Sequence, residues 1–302
     1  MLPRFVTDAD IRAHLTPRLA VDTMLAALAD HGRGALTAPA RVTAGPLVFT
    51  AGATPTHHGY RSYAAAGGPA AEQVVVAHSA ESGAVEAIAV GNLLGPRRTG
   101  ALGGAAASLL AGPGPHTVAV IGSGVQARNQ LWALGGVLDI AEVRIHSPRE
   151  ARRERLAEHA RTVLGLPARA YASAAEAVGA ATIVVLATDS ASPVIDTAGL
   201  APDVLVHTLG AAAGGRSEIP PELLAGAFVT ADSPAQHLSE ADPLLPPGGA
   251  EAIVPLGRVA AGLEQAPHTG RRVYLSRGLA GTEVALLAAI GAAIGAAAAA
   301  GG

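Results

Sequence analysis

The sequence predicts an α/β fold, in which a doubly wound parallel sheet follows a smaller antiparallel region. Three observations carry that expectation. Residues 39–91 break into short strand-like runs divided by Gly, Pro and Ser. Beyond residue 113, near-continuous apolar runs alternate with helical stretches, the texture of a parallel sheet covered on both faces. Between the first of those runs and the helix after it stands a glycine-rich turn, "GSGVQA".

The elements follow in order. "TDADIRAHL" reads as a helix capped by Thr7; "TPRLAVDTMLAALADH" reads as a second, with Thr16 as N-cap, Pro17 at the first helical position and Gly32 just past the end. "ARVTAG", "LVFTAG", "YRSYAA", "EQVVVAHS" and "VEAIAVG" read as antiparallel strands. A helix rich in small residues is expected at roughly 96–111, and "GPGPHT" marks a seam. Past it, "TVAVIG", "EVRIHS", "ARAYA", "TIVVLAT" and "DVLVHTLG" read as strands, with helices in "VQARNQLWALGGV", "REARRERLAEHARTVL" and "AAEAVGA". The Ala/Gly-rich tail, residues 284–302, reads as a packed terminal helix rather than a membrane span, since alanine is only weakly apolar.

Composition narrows the chemistry. With 24 acidic and 21 basic residues the formal charge is -3, which points away from nucleic acid and anionic membranes and towards small-molecule partners. The first 15 residues carry acids and no continuous apolar stretch, so no signal peptide is read and a cytoplasmic location is expected. Cysteine is absent, which excludes disulfides and thiolate chemistry, and no His/Asp/Glu spacing suggests a metal. Every basic residue is arginine, so a Schiff base or a lysine acid is impossible.

The apolar strand at 117–121 runs straight into Gly122, Gly124 and Ala127 in the G-x-G-x-x-A spacing, with Ser123, Val125 and Gln126 between them. The first glycine permits the tight turn, the second lets a pyrophosphate approach the backbone, and the third small residue lets helix pack on strand. A Rossmann dinucleotide-binding domain is therefore expected over residues 114–274. The second strand ends in His146 and Ser147, with Arg149, Arg152 and Arg153 beyond. An acid at that strand end would select NAD(H); a hydroxyl and a guanidinium suit a 2′-phosphate, so NADP(H) is favoured over NAD(H). Arg152 and Arg153 read equally well as a solvated helix face.

Together with "RRTGA" at 97–101, the "GSGVQA" loop resembles the ornithine cyclodeaminase/mu-crystallin family. The likeness extends through "PARV" (39–42), "GYR" (59–61), "ATDSASPVI" (187–195), "LGAAAGGRSEI" (209–219) and "SRGLAGTEVA" (276–285). The resemblance implies a homodimer in which residues 1–113 and the returning segment 275–302 form a substrate-binding and dimerisation domain. It implies hydride transfer at a carbon–nitrogen bond next to a carboxylate, by an imine or ketimine reductase or an amino-acid dehydrogenase. The alternatives are an ammonia-eliminating cyclase and a non-catalytic NADPH- or small-ligand-binding protein. By position, the resemblance makes Arg98 the holder of the substrate carboxylate with Arg41 as a second candidate, and adds Thr188 and Gly210 to the cofactor residues.

Three positions depart from the cyclodeaminase pattern. Arg61 stands where that pattern has a substrate-contacting lysine; a guanidinium binds an anion and cannot surrender a proton near neutral pH. An aspartate of the pattern falls on Ala212, and a further acid, 13 positions before residue 61, falls on Val48. These losses disfavour ammonia-eliminating cyclisation and leave imine reduction, which needs only a carboxylate clamp and a proton for the developing amine. The proton is expected from "THHGYRSY", residues 56–63. There His57 and His58 lie on an approach loop, while strand alternation puts Tyr63 on the face of Arg61 and Tyr60 on the other. His57, His58, Tyr63 and water all stay open as donors. His207 reads as a core histidine, and "AAAGG" at 211–215 as a small apolar loop near the substrate.

Overall fold

A computed structural model of the protein describes residues 2–65, 72–210, 212, 213 and 215–300. The chain opens with β1 (Arg4–Val6), α1 (Asp8–His14) and α2 (Pro17–Gly32). Thr7 caps α1 in a reciprocal box with Asp10, and Thr16 caps α2 ahead of Pro17, as their sequence signals indicate. Strands β2 (Val42–Ala44), β3 (Leu47–Ala53), β4 (His57–Ala64), β5 (Gln73–Ser79) and β6 (Val85–Gly91) pair antiparallel in sequence order. β1 joins the far edge, parallel to β6; at three residues it is too short to show a period in the sequence.

α3 (Leu94–Leu110) leads into the second unit: β7 (His116–Ile121), α4 (Val125–Gly135), β8 (Ile140–His146), α5 (Glu150–Thr162), β9 (Ala168–Ala170), α6 (Ala174–Val178), β10 (Ile183–Leu186) and β11 (Leu205–Thr208). Next come the two-residue strands β12 (Ala212–Ala213) and β13 (Arg216–Ser217), then β14 (Phe228–Ala231), α7 (Pro234–Leu238), β15 (Ile253–Pro255), α8 (Leu256–Ala260), β16 (Arg272–Leu275) and α9 (Thr282–Ala300). Eight of these strands form one parallel sheet in the order β15-β14-β16-β11-β10-β7-β8-β9. The order reverses between β7 and β10, the switch point where such sheets open a ligand crevice at their carboxyl ends.

Alternate residues of β7 explain why its sequence is apolar without a break from Val118 to Ile121. Val118 and Val120 join a core cluster with Leu102, Leu131 and Leu287, while Ala119 and Ile121 join another with Val184, Val206 and Leu275. α9 comes back to the first sheet and packs over β3 to β6. It is long and apolar enough by composition to cross a membrane, with a mean hydropathy of 1.9. Its first half, including Glu283, Leu286 and Ile290, is buried in the protein, and only the alanine turns at its end are exposed.

Two expectations shift. α2 includes Gly32 instead of ending before it, and the left-handed glycine past the end is Gly34, at φ +76°. Gly32 serves packing: a Cβ there would lie 2.0 Å from the Gly257 carbonyl oxygen of α8. β4 starts at His57 rather than at Tyr60, because its ladders continue to His58 opposite Ala53 and His57 opposite Ser79. The two histidines are therefore strand residues and not loop residues.

The first sheet meets the residue just before α9 at Gly52, where a Cβ would stand 2.3 Å from the Gly281 Cα. Gly52→Ala should destabilise the protein by about 1–3 kcal/mol through overpacking. Thermal unfolding reads this as a lowered midpoint; an unchanged midpoint would mean that strand and helix start have room to part.

Candidate active site

β7 ends at Ile121, and the chain turns at Gly122 with φ +122°, its amide donating to the His146 carbonyl at 2.8 Å. A Cβ on Gly122 would meet the Ala187 carbonyl oxygen at 2.2 Å, so the turn requires glycine. Gly124 has the opposite surroundings, with nothing within 4 Å of where a Cβ would stand. Its backbone, at the N-cap of α4, faces an open groove where amide groups can receive an anion. That cradle fits a dinucleotide pyrophosphate, and Ala127, fully buried, holds the helix close behind it.

The groove has a volume of about 500 Å³. It takes in the expected residues from Gly122 to Gln126 and also Ser147, Arg149 and Thr188. Ser123 Oγ donates to Ser147 Oγ at 2.9 Å, joining the glycine loop to the end of β8. Arg152 lines the groove from an exposed position on α5, whereas Arg153 turns inward to the Ser147 carbonyl at 3.4 Å. Gly210 stands beside the groove, held by a residue the sequence does not single out. Glu218, fully buried, accepts from the Thr188 amide at 3.0 Å, the Thr188 hydroxyl at 2.7 Å, the Thr208 hydroxyl and the Gly210 amide. One carboxylate thus ties together the loops after β10 and β11. The only trace of it in the sequence is an acid beside an apolar residue in "RSEI".

A second cavity, of about 260 Å³, opens where the loops after β14 and β16 meet β3, β4 and α3. Arg41, Arg61, Tyr63 and Arg98 all line it. Arg61 and Tyr63 share a strand face, the guanidinium lying 4.1 Å from the centre of the tyrosine ring. Thr50, directly opposite Arg61 in the β3–β4 ladder, is a further lining residue that the sequence did not mark.

Glu283, in the first turn of α9, is the other missed residue. Its Oε1 accepts from Arg98 Nη2 at 2.6 Å and from Arg61 Nη1 at 3.0 Å, and its side chain is only 4% exposed. Burial by itself would raise its pKa; Arg98 and then Arg61 outweigh that and hold the carboxyl below its ordinary value. For Arg61 burial is the larger influence and lowers its pKa, with Glu283 opposing.

Arg41 reaches in from the other side, Nη2 donating to the Arg277 carbonyl at 2.8 Å. A Cβ on Gly278 would lie 2.9 Å from Arg98 Nη1 and 3.5 Å from Arg41 Nη2, so the two guanidinia bracket one small space. Three guanidinium groups against one carboxylate leave a surplus of two positive charges (3 − 1) on these walls. Arg98 Nε, Arg61 Nε and Thr50 Oγ1 are buried without a partner, hydrogen-bonding capacity left for a ligand. The loop carrying Gly278 is fixed by Asp232, also fully buried. It accepts from the amides of Ser233, Arg277 and Gly278 at 2.8–2.9 Å and from the Tyr274 hydroxyl at 3.0 Å.

His57 and His58 are not brought to this cavity, which corrects the expectation for both. His57 lies on the Arg61 face four residues earlier, about 13 Å along the strand, and bonds to Glu86 Oε2 and Thr56 Oγ1 at 3.0 Å each. His58 points to the opposite face and stacks on His78, its cross-strand partner. Val48 is buried opposite Tyr63 and does not line the cavity, and Ala212 is buried in β12. Ala211 and Gly214 of the small apolar loop lie outside the described residues. His207 is a core residue against Tyr274, 4.6 Å between ring centres, and burial pushes its pKa down to about 3.

The ornithine cyclodeaminase/mu-crystallin family model matches residues 49–294. The chain belongs to this family. It is 35% identical over 205 residues to a putative dehydrogenase of Rhizobium meliloti (strain 1021), covering 65% of this chain and 61% of that one. It is 28% identical over 212 residues to the ketimine reductase mu-crystallin of Mus musculus, covering 70% and 66% respectively. The aligned stretches thus span just under two thirds of these relatives. The fold is shared with Thermococcus litoralis Δ1-pyrroline-2-carboxylate reductase, solved with NADH and L-proline, at a TM-score of 0.88, 20% identity and 97% and 98% coverage of the two chains. In this family member the arginines and glycine loop named by the resemblance, and the tyrosine that strand alternation put beside Arg61, lie at the carboxyl edge of one sheet and the facing wall of the other.

Removing the shared carboxylate should be costly, because it leaves two buried guanidinia uncompensated. Glu283→Gln is expected to lose about 3–5 kcal/mol in denaturant unfolding. Since the folded pKa of Glu283 lies below the unfolded one, its contribution is complete above the ordinary value of 4.5 and fades as pH falls through the lowered one. Wild-type stability should therefore drop more steeply below pH 4.5 than that of Glu283→Gln; parallel curves would mean that the carboxylate is not ionised in the fold.

Proposed function

We propose that this chain is an NADP(H)-dependent oxidoreductase that reduces the C=N bond of a small carboxylate-bearing imine, or oxidises the corresponding amino acid in reverse. The observation that carries this reading is the pair Arg41 and Arg98 beside Gly278, two guanidinia lining one cavity of surplus positive charge that suits a carboxylate, at the same sheet edge as the glycine loop. Family membership and the ketimine reductase of mouse support it. A nicotinamide dinucleotide would lie along Gly122 to Gln126 with its ribose at Ser147, and when bound it supplies the hydride.

The protein's own part is positioning and proton supply. Arg98 and Arg41 orient the carboxylate; Glu283 keeps Arg98 and Arg61 from swinging into the reacting space. Of the expected proton donors only Tyr63 lines the cavity, so its hydroxyl or water serves the developing amine. Ammonia-eliminating cyclisation is disfavoured. Glu283 is the only carboxylate among the described residues lining the cavity, and it is already committed to two arginines.

We also propose a homodimer. The outer face of the six-stranded sheet leaves Phe5 68%, Val42 62% and Tyr60 41% exposed, an apolar surface that a second copy would cover.

The deciding experiment follows NADPH absorbance with a panel of cyclic and acyclic imines of 2-keto acids. Turnover of at least one is expected; none at all, with NADPH binding confirmed, removes the reductase reading. Arg98→Ala should raise KM or abolish turnover, and an unchanged rate would take Arg98 out of the clamp. Ser147→Asp should shift preference towards NADH, and a constant ratio would mean that the ribose sits elsewhere.

A further inference from the structure

We infer that the cofactor's 2′-phosphate is held in a basic recess outside the glycine loop, walled by Arg128, Arg152 and Arg155. The inference rests on the NADP(H) reading and assigns its specificity to residues beyond the strand end.

The recess, about 370 Å³, lies between the first turns of α4 and α5, with Leu156 in its wall and Ser123 and Gly124 at its mouth. Arg152 and Arg155 are three apart on α5 and share one face. Arg128, in the first turn of α4, lines the recess with them. Ser123, Gly124, Val125 and Arg152 line both the recess and the dinucleotide groove, so the two are continuous.

Charge makes this place distinctive in a chain of formal charge -3. No acid lines the recess, and among the described residues none of its three arginines forms an ion pair. Other arginines of α5 do find acids: Arg153 approaches Glu150 at 3.8 Å and Arg161 pairs with Glu158 at 2.6 Å. The local field is felt by His159, whose pKa is lowered by burial and then by Arg128 and Arg97. Three unpaired guanidinia converging on one space repel one another, and a dianionic phosphate removes that repulsion.

The position suits the 2′ substituent in particular. Ser123 and Ser147, bonded Oγ to Oγ, mark where the adenosine ribose would rest, and the recess begins at Ser123. A pyrophosphate lies further along, over Gly124 and the start of α4.

The test is calorimetric binding of NADPH, NADH, adenosine 2′,5′-bisphosphate and 5′-AMP to the full chain and to R128A/R155A. Wild type should prefer each 2′-phosphorylated ligand by about 30-fold or more, and the double variant should lose about 30-fold on those two while changing about threefold or less on the others. If the double variant keeps the wild-type ratio, the recess is not the phosphate pocket, and the NADP(H) reading stands on Ser147 and Arg149. An equal loss on all four ligands also overturns the inference, because the arginines then serve the 5′-phosphate that all four carry. A wild type without preference overturns the NADP(H) reading itself, and the recess with it.

Discussion

The arginine-lined cavity is organised around one buried carboxylate shared by two guanidinium groups. Arg61 comes from β4, Arg98 from α3 and Glu283 from α9, so three elements far apart in sequence converge on a single oxygen. Burying an ion is unfavourable unless its partners are well placed. Here two planar donors on Oε1 meet that condition, and they pull the start of α9 onto the sheet where Gly52 and Gly281 allow backbone to touch backbone. The same contact holds the arginines still while leaving the walls with surplus positive charge.

Two further buried acids extend this design along the carboxyl edge of the parallel sheet. Glu218 joins the loops after β10 and β11, and Asp232 joins those after β14 and β16. Both act on backbone amides, fixing loops that have no sheet partner of their own. The acids thus serve construction, while arginines line both spaces: Arg41, Arg61 and Arg98 the cavity, and Arg128, Arg152 and Arg155 the recess beside the glycine loop. A chain without lysine is suited to that division. Guanidinium forks hold carboxylates and phosphates in fixed geometry and do not take part in proton transfer near neutral pH.

The parts of the fold that were legible in the sequence are those set by local chemistry. Thr7 and Thr16 cap their helices through bonds to amides three residues on, and Val118 to Ile121 of β7 are all apolar because both faces are covered. The turn at Gly122 needs glycine for a reason that lies within a few residues of chain and one neighbouring strand. The histidines of "THHGYRSY" were misplaced because a strand start is decided by how far its partners continue, and β3 and β5 carry the ladder back to His57. Once they are in a strand, the period of two sends His58 to the far face, and rise along the strand takes His57 away from Arg61.

By itself, then, the sequence determined the α/β class, the helix caps and the glycine loop, since these are properties of short segments, while its family resemblance named Arg41, Arg61 and Arg98. Only the tertiary structure decided that Glu283 closes the arginine cluster, that Thr50 faces Arg61, that Glu218 and Asp232 hold the loops, and that Arg128 and Arg155 stand together. A lone acid or arginine looks like any solvated side chain until packing brings its partners, tens or hundreds of residues away, within the few ångströms over which a buried charge is felt.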